Sequence, residues 1–556
     1  MTMDNNEAEE ALNQELRSTA RSFFEAKMPL GRLADVADGE RLGPERELWN
    51  EFVRMGWTGI MLPEDAGGAG AGLSALAVLF EEFGRSLCPT PHFASLALAA
   101  PCIDHEIPLA EALASGDSTF TMAWAEPPAS RRLDGVAEIG CSASAAGSEW
   151  RLRGIKRAVP DAGSVSHSVV VARSDDGVGL YVVDLAGEGA RIEAGHSVDG
   201  TRRHYSLILE DAAATPLASE ERTRSVLREV RLRALVLLSY EAIGVAERIL
   251  EDIVAYANER HQFGKPIGAF QAVSGPLVDA FVEVELARAL ARWAVRAIEL
   301  GDSTADVAAV AAKSAASDAA VDTVERAIQV AGAIGFTWEY HLHRFLRRAL
   351  WIASFDGTVA EGRQFVAAEL LEKAEPLRTV ELMDTAEVAA FRTSVRSWIA
   401  DNLPYEPFAS GGVPSLDTYE QVKPRWRKAM CESGNLVAHW PKEFGGRGAS
   451  PAITAVFREE AIRAHPRVSY GDCGVDLVAP LLMAYGTPAQ KDRFLEPIRT
   501  EAEVWTQAFS EPNAGSDLAS LETRARKDGN HWVLNGNKTW CTYAPVADWI
   551  FVLART

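Results

Sequence analysis

"QAFSEPNAGSDL" occupies residues 507–518, and "NGNKTWCT" comes after it at 535–542. The first stretch is a Glu-Pro step followed by small, hydroxyl-bearing and glycine residues, which let other groups approach the backbone closely. The second packs a lysine, a tryptophan and two threonines into five positions. A coarser version of both stands earlier in the chain, as "AEPPASRRL" at 125–133 and "KRAVP" at 156–160. Glu511-Pro512 matches Glu126-Pro127, and Lys538 matches Lys156. Around those anchors the chemistry changes: Ser510 becomes Ala125, Trp540 becomes Ala158, and Thr542 becomes Pro160, which carries neither a hydroxyl nor an N–H. The Gly515-Ser516-Asp517 tail becomes Ser130-Arg131-Arg132.

The pairing extends well beyond these loops. "MGWTGIMLPEDAGGAG" (55–70) and "SGNLVAHWPKEFGGRG" (433–448) place Gly56 with Gly434, Pro63 with Pro441, Gly67 with Gly445 and Gly70 with Gly448, all 378 residues apart. Glu81-Glu82 meets Glu459-Glu460 at the same offset, which then drifts to 385 and 382 at the two loop anchors, as loop insertions produce. A repeat this long reads as a duplicated protein and not as a solenoid.

The texture changes in order along the first copy. Residues 1–118 read as a helical N-terminal domain and 119–212 as a β domain. In the latter, "HSVVVARSDDGVGLYVVDL" (167–185) sets two β-branched runs around an Asp-Gly turn signal. Residues 222–375 read as a helical bundle: "REVRLRALVLLSYEAIGVAERILEDIVAYANER" (228–260) holds no proline and one glycine, and 303–332 is alanine-rich behind a Ser/Thr cap signal. The second copy repeats the helical domain over 380–500 and enters its β domain at 501–556, in mid-strand at "DWIFVLART". The expectation is an incomplete second copy. The predicted class is α+β: helical domain, β-barrel or sandwich, helical bundle, written twice.

Bulk properties narrow the function. With 556 residues, 47% of them hydrophobic, and a net charge of −22, the chain can bury several cores and presents an acidic surface. Such a surface disfavours nucleic acid and anionic membranes as partners. Six scattered cysteines show no metal or disulfide spacing, the N-terminus lacks an apolar signal region, and no run is long enough to span a membrane. A soluble, cytoplasmic protein is predicted. Dinucleotide GxGxxG, P-loop, HExxH and GxSxG patterns are absent.

Four motifs, those at 507–518 and 535–542 together with "ERHQFGKPIGAFQ" (259–271) and "QVAGAIGF" (329–336), resemble the acyl-CoA dehydrogenase flavoproteins. The resemblance covers nearly the whole chain. It implies FAD as cofactor, an acyl-CoA substrate, and an electron-transfer flavoprotein or similar acceptor. The implied reaction removes a proton beside the thioester carbonyl and passes a hydride from the next carbon to the flavin. It also implies roles for residues of the second copy: Trp540 packs on the flavin, Thr542 donates near its reactive nitrogen, Phe509 and Ser510 border the ring, and Gly515 and Ser516 allow close approach. In the first copy it implies ADP-side contacts from Arg260, Phe263, Gln329 and Gly332. The two copies are therefore expected to be complementary, an internal pseudo-dimer with one competent FAD site, further assembled as a homodimer.

The resemblance also places the base just before a Gly-Thr, which is Asp356 here, one methylene shorter than the family's usual Glu. The alternative base position on an earlier helix is Ala234, which cannot serve. The base of the competent site is expected beyond Thr556. Arg348 stands where the family has Asp, which leaves the usual ion pairing open. Glu511 and Asp517 read as scaffolding. Bulky CoA thioesters such as steroid side chains are the implied substrate class. A flavin-dependent oxidase or hydroxylase and a pseudoenzyme scaffold are the competing readings.

Overall fold

A computed structural model describes residues 3–37, 46–126, 132–133, 139–146, 149–372, 381, 384–402, 416–464 and 473–556. They fall into two compact units, Met1–Met383 and Asp384–Thr556.

The first unit begins with helices, among them Met3–Lys27, Arg46–Arg54 and Leu73–Ser86. Their amphipathic faces meet in an aromatic cluster of Phe24, Phe52, Trp57 and Phe83, with Phe52 and Phe83 stacked at 5.3 Å. A seven-stranded sheet comes next. Strand His167–Ser174 pairs antiparallel with Gly177–Asp184. Ser174 opposes Gly177, so the connecting turn is Asp175-Asp176, one residue earlier than the Asp-Gly signal suggested. From these two strands the pairings run through His204–Ala218, Glu149–Pro160 and Ser142–Ala146 and return to His167–Ser174, closing the sheet on itself as a barrel. The last strand reaches Ala218, past the expected end at 212.

Helices Glu220–Glu259, Gln271–Glu299, Ala305–Ala331, Leu342–Ser354 and Val359–Glu372 form the bundle. The first of these is buried on nearly every side through its middle, because it lies between the N-terminal helices and the rest of the bundle. Its contact with Leu73–Ser86 needs glycine on both helices. A Cβ on Gly84 would stand 2.0 Å from the Glu241 carbonyl oxygen, and one on Gly244 would stand 1.9 Å from that of Glu81.

Close to that crossing lies a group of charges without access to solvent. Arg348, from Leu342–Ser354, pairs with Asp199 and Glu241 and donates to Thr201 Oγ1 at 2.6 Å. Arg202 donates to Glu241 at 2.9 Å and to His92 Nε2 at 2.9 Å. Because a guanidinium only donates, His92 Nε2 is the acceptor, and its proton sits on Nδ1, facing Thr90 at 3.2 Å. Burial drives His92 down to about 4, so it is neutral, and the two guanidiniums hold Glu241 far below the usual carboxylate range against its own desolvation. Arg348, whose pairing the sequence left open, thus closes an ion-pair network. Arg202 also lies over the rings of Phe93 (4.9 Å) and Trp351 (4.5 Å).

The second unit carries helices Ala386–Asn402, Leu416–Ser433, Pro451–Ala464, Ala479–Tyr485 and Pro488–Arg499, then four short strands. Its ion pairs echo the first. Arg17 and Arg21 reach Glu81 and Glu82 there (3.3 and 2.8 Å), and here Arg392 reaches Glu459 and Glu460 (2.9 and 2.7 Å) and Arg396 reaches Glu460 (2.8 Å). Among the described residues no helix is long and apolar enough to cross a membrane.

Removing one partner of a buried pair leaves the opposite charge uncompensated. Arg348→Met is expected to lower the stability of the first unit by about 3–5 kcal/mol, read as a fall in the urea midpoint, whereas Arg228→Met, at an exposed pair with Asp306, costs about 1 kcal/mol or less.

Candidate functional site

In the second unit, strand Trp505–Ala508 runs parallel to Trp549–Val552 and leads directly into the half-buried Phe509 and Ser510. One carboxylate organises the loops beyond this strand. Glu511 accepts from the backbone N–H groups of Glu522 (2.6 Å) and Thr523 (2.9 Å) and from Lys538 Nζ (2.8 Å), and the lysine and these donors hold it down at about 2. Lys538 Nζ also donates to the Phe509 carbonyl at 2.9 Å, and the next residue, Thr539, donates its N–H to the Ser510 carbonyl at 2.9 Å. The segment 538–542 is thereby fastened beside 509–511. Glu511 and Ala514 exchange backbone hydrogen bonds (2.8 and 3.1 Å), and this tight turn leaves Gly515 and Ser516 exposed.

Trp540 stands out in this frame. It is 86% exposed and has a φ of +58°, a left-handed backbone that an L-residue adopts at a cost of about 1 kcal/mol or more. Neither feature helps this loop pack, so the position is arranged for something other than this unit's own core. Thr542 is exposed close by, its carbonyl held by the Thr506 hydroxyl, and Phe509 packs edge-on to Phe551 at 5.5 Å. Asp517 opens the short turn Leu518–Ser520, in keeping with a scaffolding role.

The first unit repeats the backbone arrangement with different side chains. Glu126 accepts from the N–H groups of Gly140 (2.6 Å) and Cys141 (3.0 Å) and from Lys156 Nζ (2.5 Å); Lys156 donates to the Trp124 carbonyl at 3.3 Å, and Arg157 N–H to the Ala125 carbonyl at 2.9 Å. Ala158 has a φ of +53°, matching Trp540, and Asp161 one of +51°, matching Tyr543 at +66°. The expected Ser130 and Arg131 lie outside the described residues; Arg132 is half-buried. With alanine and proline where the second unit has Trp540 and Thr542, the region is a cavity of about 770 Å³ walled by Trp124, Pro160, His204, Trp351 and Phe355.

Asp356 also lines this cavity. Its Oδ2 accepts from Arg231 Nε at 2.7 Å and its Oδ1 from the Leu133 N–H at 2.8 Å, with both side chains of the ion pair almost wholly buried. Lys313, pushed down to about 8 by burial, donates to the carbonyls of Ala353 (2.8 Å) and Gly357 (3.2 Å) and fixes the same turn. The carboxylate is committed to holding residues 354–357 in place. Ala234 is fully buried.

The residues expected on the ADP side gather at one end of the bundle. Arg260 caps helix Glu220–Glu259, its N–H on the Tyr256 carbonyl (2.8 Å), and the Tyr256 hydroxyl reaches the Ala331 carbonyl at 3.5 Å, setting that helix end beside the end of Ala305–Ala331. Exposed Gln329 lies in the last turn of the latter helix. Gly332 comes next at φ +68° and ψ −139°, which only glycine takes without strain. Phe263 tips the hairpin of His261–Gln262 and Lys265–Pro266 at φ +54° and is 93% exposed. Sequence reading gave no role to the exposed Phe336 and Trp338 beside these residues, although Phe336 ends the motif "QVAGAIGF" and Trp338 follows two residues later. An exposed aromatic tip, a guanidinium and a bare glycine backbone fit the adenosine diphosphate part of a cofactor, and the Trp540 loop fits a flat ring. The first-unit loop, without Trp and Thr, does not fit one.

Along the chain, family models match the acyl-CoA dehydrogenase N-terminal domain at 10–106, the C-terminal domain at 233–371, the N-terminal domain again at 385–502 and the middle domain at 506–556. The chain belongs to the acyl-CoA dehydrogenase family. Acyl-CoA dehydrogenase FadE34 of Mycobacterium tuberculosis is 33% identical over 515 residues, 92% of this chain and 65% of the relative. Acyl-CoA dehydrogenase IpdE1 of the same organism is 44% identical over 174 residues, 31% of this chain and 45% of the relative. The chain thus spans less than two thirds of the length of either. The solved Tcur3481-Tcur3483 steroid ACAD superposes with a TM-score of 0.58 and 32% identity, over 65% of this chain and 98% of that one. In this acyl-CoA dehydrogenase chain the Trp540 loop and the surface around Arg260 and Gly332 lie in different units.

Asp161 gives the first-unit loop a pH signature. Burial raises its carboxyl from 3.8 to about 7, and its Oδ2 lacks a hydrogen-bond partner. A raised folded pKa stabilises fully below the unfolded value, and that contribution is lost as pH rises towards the folded one. Asp161→Asn is therefore expected to gain stability relative to the parent between pH 3.8 and about 7 and to hold a constant advantage above that, measured by urea unfolding across a pH series.

Proposed function

We propose that the protein acts as an FAD-dependent acyl-CoA dehydrogenase that introduces a 2,3-double bond into a bulky CoA thioester, with one FAD per chain. The observation that carries this reading is the exposed, left-handed Trp540, fixed beside Ser510 by the Lys538–Glu511 clamp. Bound FAD supplies the hydride acceptor. In this reading Trp540 and Phe509 stack against the ring and exclude water, Ser510 and Thr542 direct hydroxyl groups at its polar edge, and Gly515 and Ser516 leave room for substrate. Arg260 and Gln329 bind the diphosphate and adenosine portion, with Phe263 and Gly332 shaping that surface. Asp356 holds structure rather than a transferred proton, since both its oxygens are engaged.

The chain is then a tandem arrangement in which the first unit has given up its flavin ring site and kept its ADP-type surface. A steroid side-chain-like acyl group is supported by the name of the 32%-identical steroid ACAD. An electron-transfer flavoprotein or a similar acceptor removes the electrons, and a homodimer of such chains is the proposed assembly.

Flavin released from the purified protein is expected at one equivalent per chain, with Trp540→Ala and Arg260→Ala each weakening FAD binding about tenfold, the equivalent of about 1.4 kcal/mol. Anaerobic addition of a steroid side-chain CoA thioester should bleach the oxidised flavin spectrum. Two equivalents per chain, or unchanged affinity in both variants, refutes the reading.

A further inference from the structure

The first-unit cavity is more than a site from which a ring contact has been deleted. Three changes relative to the second unit coincide there. Trp540 and Thr542 are replaced by Ala158 and Pro160, which opens volume, and Thr539 is replaced by Arg157, which introduces a cation. Arg157 lines the cavity and donates through Nη1 to the Ser206 hydroxyl, also in the wall, at 3.0 Å. No carboxylate pairs with it among the described residues.

Among the described residues, the two carboxylates that line the cavity, Glu126 and Asp356, are already paired. Glu126 receives Lys156 and two backbone N–H groups, and Asp356 receives Arg231 and the Leu133 N–H. His204 accepts the Trp351 indole N–H at Nε2 (2.8 Å), so in its neutral form it carries its own proton on Nδ1. The walls between these groups are aromatic and apolar: Trp124, Trp351, Phe355, Leu350 and Val198. A guanidinium has five N–H donors in a planar fork, and most of these remain for a ligand once one meets a neutral hydroxyl. A volume of about 770 Å³ lies within the range of small-molecule sites.

We propose that this cavity binds an amphipathic anion, a compact ring-bearing apolar body with one carboxylate or sulfonate group, the body against Trp124, Trp351 and Phe355 and the anion on Arg157. The site belongs to the first unit alone and does not depend on the flavin reading of the second.

The test uses the intact chain and two fluorescent probes of nearly the same shape, anilinonaphthalene sulfonate and the uncharged N-phenylnaphthylamine. Ala158→Trp refills the cavity with the residue that the second unit carries at the same left-handed φ (+53° against +58°), so the backbone accepts it. Both probes are expected to lose binding in Ala158→Trp. Arg157→Gln should weaken the sulfonate probe about tenfold, as loss of a charge-assisted hydrogen bond implies, and leave the neutral probe within twofold; Arg157→Lys should restore most of the sulfonate affinity. If Ala158→Trp does not fold, Ala158→Leu should weaken both probes to a smaller degree. Undiminished binding of both probes in the filled variant, or equal effects of Arg157→Gln on the charged and neutral probes, overturns the proposal.

Discussion

Two guanidinium groups and two carboxylates sealed from water tie together the parts of the first unit. Arg348 comes from the bundle, Glu241 from its long helix, Asp199 and Arg202 from the segment leading into the last barrel strand, and His92 from the helical domain. Desolvating such charges is costly, and only the mutual pairing offsets it. The pairing therefore exists only when all three parts are in place. It also sets the near wall of the cavity, because Arg202 lies over Trp351, and Trp351 in turn is oriented by His204.

A second constraint is that the two units share the backbone arrangement of these loops but not the side chains it carries. The Glu–Lys clamp, the carbonyl grips and the left-handed residues recur at Glu126, Lys156 and Ala158 as at Glu511, Lys538 and Trp540. The clamp satisfies backbone groups that would otherwise be unpaired, so it is needed for folding in both places. Trp540 and Thr542 contribute little to their own unit's core and are free to change when their use changes. The result is one frame presenting an aromatic surface in the second unit and a cavity with a cation in the first.

Much of this was legible in the sequence. The β-branched runs around 167–184 gave the hairpin, the long proline-free stretch gave helix Glu220–Glu259, and the Glu-Pro and Lys anchors located both loops. What could not be read was partnership over long distances. Arg348 in isolation suggests a broken pair, and only the fold brings Asp199 and Glu241 to it. Asp356 has the position of a base by its neighbours in sequence, while Arg231 and Leu133, both far from it along the chain, decide how it is used. Arg157 was visible as a cation in place of Thr539, but its relation to Ser206 required the strands to be paired.

The glycine contact between Leu73–Ser86 and Glu220–Glu259 has a consequence for the order of events during synthesis. Gly84 and Gly244 are 160 residues apart, and the backbones they bring together lie too close for either helix to find a substitute partner. Local contacts form early and cheaply, whereas this one must wait for the intervening barrel and half of the long helix to emerge. Until then the face of Leu73–Ser86 that meets Glu220–Glu259 is uncovered, and apolar surface left open in this way is prone to pairing with another molecule.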